Sequence, residues 1–356
     1  MSCVRIKEKI TGGRTITFGP RILKTGIAVT VALYICSILN LDPPIFAGVA
    51  AILAIQPSIY RTWKQMIDQI ITNTLGATLS LFFIYFFGEN PITIGFVIML
   101  VISLSLKLKM EKTIPLTLVT VLAIMSAAGS EDLFFTLERF IIIMIGTGAA
   151  MVVNIIVLPP KYQQNYFKQV QSTFQNMSLL LRTAISNELT EVSFNEHHKS
   201  LSKDIQKLEE QFQLFEEERT KLGKTKQLNA REIIVFKQML KVLQEGEQIV
   251  ENIEEHYFQS TTEEEDNLLF DSHLELLMKY HENLLLKYQG KIKPTSLEND
   301  VLEQSNNFFE QALRLYTQDK GSKQRLMIIV SSIMDYTFHL QRLDKLIHQY
   351  LKGKEE

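Results

Sequence analysis

Two hydrophobic rhythms divide this chain. Up to about residue 160, apolar residues come in long runs, at about 22–39, 44–60, 66–87, 91–107, 113–130 and 134–158. A helix needs about 17–25 residues to cross a bilayer core, so all six qualify, the second, fourth and fifth narrowly. Beyond residue 160 the runs give way to single apolar residues at helical spacing. One series is Leu201, Ile205, Leu208, Phe212, Phe215 and Leu222; another is Ile233, Phe236, Leu240, Leu243, Val250 and Tyr257. The cleanest runs Leu326, Ile329, Ile333, Tyr336, Leu340, Leu343, Ile347 and Tyr350. Steps of three and four draw one apolar stripe along a helix, the pattern of bundle packing. The expected class is all-α: a cytoplasmic N-terminal segment (1–21), a six-span transmembrane domain (22–160) and a cytoplasmic bundle of about six helices, several of them long (161–356).

Local signals place the boundaries. Asp42–Pro43, Asn90–Pro91 and Thr113-Ile-Pro115 each set a capping side chain before a proline, which fits the first turn of a helix. Pro159–Pro160 ends the sixth run, because the residue before a proline is driven out of the α region. In the tail, breaks fall near 187–195, 223–228, 260–265, 290–295 and 319–322, and Thr295-x-x-Glu298 has the form of a capping box. The acidic run 263–266 suits a helix start, where it complements the dipole; a regulatory cation site is the alternative. Asp335 and His339 stand one turn apart and read as a surface pair.

Charge sharpens the division. The whole chain is nearly neutral, at −2. Residues 1–160 hold 12 Lys/Arg and 8 Asp/Glu, whereas residues 161–356 hold 25 and 31. Arg61, Lys64, Lys107, Lys109, Lys112 and Lys161 fall on the side of the basic N-terminus. The opposite connections carry Asp42, Glu89, Glu131 and Asp132 instead. Positive residues collect on the cytoplasmic side, so both termini are expected inside a multi-pass protein of the cell membrane. The first run is long enough to span and is followed at once by the second, which argues against a cleaved leader. Cys3 and Cys36 imply no disulfide framework. The acidic tail excludes nucleic-acid binding. There is no metal-ligand spacing, phosphate loop or Ser/His/Asp signature, so no enzyme, no metal and no cofactor is expected.

Polar residues inside the apolar runs are the candidate functional groups, because each is costly in lipid. Pro57 frees the carbonyl of Leu53, so Gln56–Pro57 predicts a helix break with exposed backbone, either lining a path or only kinking the helix. Gln65, Asp68, Gln69 and Asn73 form one polar stripe; Asp68 is the candidate proton acceptor, or is simply solvated at the inner interface. Arg139 can hold a carboxylate bidentately, or it can snorkel or pair with Glu131, Asp132 or Glu138. Asn154 bridges helices or lines a pore. Asn73-Thr-Leu-Gly-Ala, which contains Gly76, echoes Gly146-Thr-Gly-Ala. An inverted three-plus-three repeat would produce the echo, and so would small residues used for close packing.

These residues resemble the aromatic acid exporter family, within the fusaric-acid-resistance-like superfamily. The resemblance is carried by Ala47-Gly-Val-Ala-Ala51 leading to Gln56-Pro-Ser-Ile-Tyr60, then Asn73-Thr-Leu-Gly-Ala77, Glu138-Arg139, Gly146, Val153-Asn154 and Pro159-Pro160. It implies export of aromatic or other organic carboxylates, driven by the proton gradient and performed by a homodimer in the lipid bilayer. The substrate path it implies would use Gln56, Pro57, Asn73, Gly76, Arg139 and Asn154. Phe82, Phe83, Tyr85 and Phe86 could offer ring surface, although packing against lipid is their plainer use. An organic-anion channel, similar to the plant malate transporters, is the alternative within transport. A non-transporting scaffold with a partner-binding tail is the alternative outside it.

Overall fold

The computed structural model describes residues 20–88, 90–126, 132–157, 162–185, 191–222, 230–257, 263–292, 298–319, 321 and 323–355. It is all-α and divides into two compact units at residues 160 and 161. The expected capping box at Thr295, the Pro159–Pro160 stop and the N-terminal basic residues before Pro20 lie outside the described residues, as do Cys3, Glu89 and Glu131.

The N-terminal unit holds α1 (Pro20–Ile38), α2 (Ile45–Ala54), α3 (Ile59–Phe87), α4 (Pro91–Lys107), α5 (Ile114–Ser126) and α6 (Asp132–Ile156). By length and composition α1, α3 and α6 can cross a membrane, and α2 and α4 are shorter apolar helices. The second apolar run, expected to span over 44–60, stops as a helix after 10 residues at Ala54, about 15 Å of rise. Pro57 is the cause. It has no N–H to continue the ladder, Ile55 turns extended (φ −70°, ψ 109°), and the chain restarts at Ser58. Ser58 caps α3 by accepting from the Arg61 backbone N–H. The third helix therefore begins seven residues before the expected 66 and runs for 29. The three expected caps differ as well: α2 begins at Ile45 behind Pro44, two residues past Asp42, with no side-chain cap. The Asn90 amide turns back to the Phe87 carbonyl, and Thr113 closes a 3₁₀ turn by donating to the Met110 carbonyl.

Packing in this unit has an internal two-fold pattern. α1, α2 and α6 form one group, α3, α4 and α5 form another, and α3 packs on α6 between them. Each set of three consecutive helices has thus exchanged its third member. α1 and α4 end alike: Asn40 and Lys109 adopt positive φ (51° and 58°), with Leu41 N–H to the Cys36 carbonyl and Met110 N–H to the Ser105 carbonyl. A Cβ on Gly146 would meet the Ala47 carbonyl oxygen at 2.2 Å, and one on Gly76 would meet Thr117 and Val121 methyls at 3.0 Å. Gly146 thus admits α2 against α6, and Gly76 admits α5 against α3. Asn40 and Lys109, Ile45 and Ile114, Gly76 and Gly146 lie 69, 69 and 70 residues apart. A constant offset joined to equivalent packing favours the repeat over chance small residues.

The C-terminal unit is a six-helix bundle among the described residues: α7 (Tyr162–Ala184), α8 (Glu191–Leu222), α9 (Ala230–Asn252), α10 (Glu264–Tyr288), α11 (Glu298–Gln318) and α12 (Leu326–Glu355). All eight residues of the last predicted stripe are at most 3% exposed, and α12 packs along α9. Gly290, at φ 70°, stops α10: its N–H bonds the Lys287 carbonyl, and Lys291 N–H bonds that of Leu286, a Schellman ending. The acidic run 263–266 serves the helix start. The Asp266 carboxylate accepts from Glu263 N–H at 3.0 Å and pairs with Lys323 at 2.8 Å. The pairing expected between Asp335 and His339 gives way to another, because His339 meets Gln238 and Glu245.

Candidate functional site

The helix break gathers the first polar cluster. Gln56 spans it, its side-chain amide donating to the Leu53 carbonyl that Pro57 leaves unpaired (3.4 Å). Its backbone N–H bonds the Thr62 hydroxyl at 3.3 Å, and that hydroxyl donates to the Ser58 carbonyl. Asn154 comes in from α6, its amide reaching Thr62 Oγ1 at 2.8 Å and the Gln56 carbonyl at 3.3 Å. Lys24 comes from α1, its ammonium donating to Asn154 Oδ1 at 2.9 Å and to the Asn154 carbonyl at 3.4 Å. Lys24, Ser58, Thr62 and Asn154 are all buried.

A second cluster lies between α3 and α5. Gln69 donates to Asn73 Oδ1 (2.8 Å) and Thr117 Oγ1 (3.2 Å), and Thr117 donates to the Thr72 hydroxyl (3.0 Å). Gln65 reaches the Lys112 carbonyl. Every member is an amide or a hydroxyl. The expected stripe is divided here: Gln65, Gln69 and Asn73 are buried toward α5, whereas Asp68 is half-buried and gives its carbonyl to Thr72.

Arg139 forms a third centre, near the start of α6. It is 7% exposed and its guanidinium lies over the Phe46 ring, 4.5 Å from the centroid. Glu138 beside it accepts from Asp42 N–H at 3.2 Å. Arg139 and Asn154 are 15 positions apart on α6, about 22 Å of helix rise. The group α1–α2–α6 therefore has a cation at each end. Between them its core is mostly alanine: Ala28, Ala32, Ala47, Ala51, Ala54, Ala149 and Ala150 are at most 5% exposed.

A model of aromatic acid exporter family member 1 matches residues 16–157, a stretch that includes α1 through α6. The UPF0421 protein YgaE of Bacillus subtilis strain 168 is 33% identical over 348 residues, covering 93% of this chain and 95% of that protein. The chain belongs to the aromatic acid exporter family. Other relatives match over less. A UPF0421 protein of Oceanobacillus iheyensis is 29% identical over 45% of this chain and 46% of its own length. One from Staphylococcus haemolyticus is 30% identical over 54% and 56%. Family and apolar helices together make this a membrane protein of a transporter family.

In this exporter-family chain the structure thus joins Gln56, Pro57 and Asn154, sets Asn73 with Gly76 in a different pair of helices, and leaves Arg139 apart from both. Lys24 and Thr62 are the residues that sequence reasoning passed over. Lys24 had a legible signal, since it stands three positions inside the first apolar run, where an ionisable residue is costly. Thr117 had one as well, in the Thr117–Thr120 spacing on one face of α5, which Thr113 extends in the turn just before it. Phe82, Tyr85 and Phe86 are exposed on α3, on the lipid-facing reading. In the C-terminal unit His198, Glu247 and Glu251 bring ligand atoms within 4.8 Å of one another. His198 also reaches Glu254 at 3.3 Å through its Nδ1, so one of its ring nitrogens already has a carboxylate partner within the protein.

Proposed function

We propose that the protein exports aromatic or other organic carboxylates from the cytoplasm, as a homodimer in the cell membrane with six spans and both termini inside. The observation that carries the reading is Arg139, a guanidinium buried in an apolar helix group and stacked on an aromatic ring. A carboxylate leaving water must replace part of its hydration, and a planar guanidinium offers two parallel donors in return. The Phe46 ring beside it suits the aromatic part of the cargo. The family match supports the same class of cargo. The tail's long helices supply surface for self-association.

Arg139→Gln should abolish export while the protein still inserts and assembles. Arg139→Lys should recover only part, since an ammonium keeps the charge without the planar fork. The measurement is cellular accumulation of hydroxybenzoate in cells lacking other exporters, with each variant's abundance matched. Wild-type export by Arg139→Gln would end this reading of the residue.

An organic-anion channel is the second reading, and a specific observation favours it. Among the described residues of the N-terminal unit no carboxylate is buried, and Asp68 is only half-buried. A proton-coupled route wants a protonatable group in the path. Flux into proteoliposomes that depends on a pH gradient supports coupling through Asp68; flux indifferent to the gradient supports the channel.

A further inference from the structure

We infer that Lys24 is a carboxylate-binding residue, forming with Asn154, Thr62 and the opened backbone at Gln56 a second anion subsite at the opposite end of α6 from Arg139. The inference rests on the organic-anion reading and adds a site to it. Lys24 is 8% exposed, so the ammonium is not snorkelling outward. Its polar partners among the described residues are the two oxygens of Asn154, both neutral. An ammonium in this position has been withdrawn from water with no counter-charge in return among the described residues.

Such a group serves poorly as a structural link, because a neutral donor would satisfy the same two oxygens without the desolvation. It serves well as a receptor. An incoming carboxylate displaces Asn154 Oδ1 from the ammonium and makes an ion pair instead, in which both partners are charged and not the donor alone. The displaced asparagine remains anchored through its amide to Thr62 and the Gln56 carbonyl, 2.8 and 3.3 Å away. The exchange therefore needs no rebuilding of the helix break. With Arg139 about 22 Å along the same helix, the α1–α2–α6 group offers a cation to the cargo on entry and another on exit.

Trp63, the one tryptophan of the chain, follows Thr62 directly and provides the probe. Full-length protein in mild detergent is titrated with salicylate, which accepts energy from tryptophan, and with its neutral amide as control. Wild type should show saturable quenching by the acid and none by the amide. Lys24→Gln keeps a donor for Asn154 but loses the charge, and should bind salicylate about ten- to a hundredfold more weakly. Lys24→Arg should stay within about threefold of wild type. Gel filtration checks that each variant is folded, and the arginine variant carries the test alone if the glutamine variant is not. Equal binding by wild type and Lys24→Gln would overturn the assignment of Lys24 and leave the exporter reading standing, as would a tenfold loss in a folded Lys24→Arg. No saturable quenching of wild type by salicylate, benzoate or hydroxybenzoate would overturn both.

Discussion

Each unit of this protein buries a lysine, and the two are treated in opposite ways. In the C-terminal bundle Lys287 is 7% exposed and pairs with Asp344, which is itself buried and accepts a further bond from the Tyr280 hydroxyl. In the N-terminal unit Lys24 is equally buried, yet among the described residues its hydrogen bonds go to the neutral oxygens of Asn154. A second closed pair in the bundle joins Asp266 to Lys323, whereas the buried Glu232 takes its hydrogen bonds from the neutral groups of Tyr288 and Gln163. A scaffold needs charges that cancel. A binding path needs a charge that a mobile partner can cancel, and Lys24 is placed to be one.

The largest expected effect tests the closed pair. Asp344→Asn leaves Lys287 buried without its counter-charge, and should destabilise the protein by about 3–5 kcal/mol. The double variant Lys287→Met, Asp344→Leu should recover most of that, because well-packed apolar residues can replace a buried pair. Lys24→Gln in the other unit should shift stability by less than about 1 kcal/mol. Urea midpoints by circular dichroism decide the matter. A loss in Lys24→Gln as large as that in Asp344→Asn would erase the contrast between the two lysines.

The next effect distinguishes the two helix crossings of the N-terminal unit. At Gly146 an added methyl meets the Ala47 backbone, which cannot rotate away, whereas at Gly76 it meets the ends of two side chains. Gly146→Ala should cost about 1–3 kcal/mol or more, and Gly76→Ala clearly less. Thermal unfolding in detergent orders the pair. The reverse order would show that α3 and α5, not α2 and α6, form the tighter crossing.

How much of this was legible follows from what periodicity records. Helix class, the helices of the tail and every residue of the Leu326–Tyr350 stripe follow from spacing, because one buried face repeats at 3.6 residues. The break at Gln56–Pro57 follows too, since proline lacks the donor that a helix needs. Its consequence did not. Hydropathy over 44–60 is the same whether those residues form one span or a ten-residue helix, an extended turn and the start of α3. Partners across the fold were also beyond reach: Lys24 meets Asn154 across 130 positions, and nothing local in either segment names the other. The repeat lay between these cases. Its glycines were visible, but the 70-residue offset acquires meaning only once Gly76 and Gly146 are seen to do the same work on α5 and α2.

The smallest effect concerns histidines that the bundle holds neutral. His273 lies flat against Phe308, 4.2 Å between ring centres and 10° between planes, and is 5% exposed. Burial pushes its pKa down from 6.5 to about 4. Below pH 6.5 the unfolded chain takes up a proton that the folded chain refuses, so this histidine's neutral burial is fully favourable above that pH. Stability is then lost as pH falls from 6.5 toward 4, by at most about 1.4 kcal/mol per pH unit. His281, fully buried and bonded to Tyr336, behaves in the same direction, with its pKa pushed down to about 3. His273→Phe keeps the stacked ring and removes the titration. Its urea midpoint should match wild type at pH 7.5 and exceed it at pH 5.5, with His281 responsible for the slope that remains. An unchanged difference between the two pH values would mean that His273 titrates in the fold as it does in the unfolded chain, and that at pH 5.5 the bundle tolerates its buried charge.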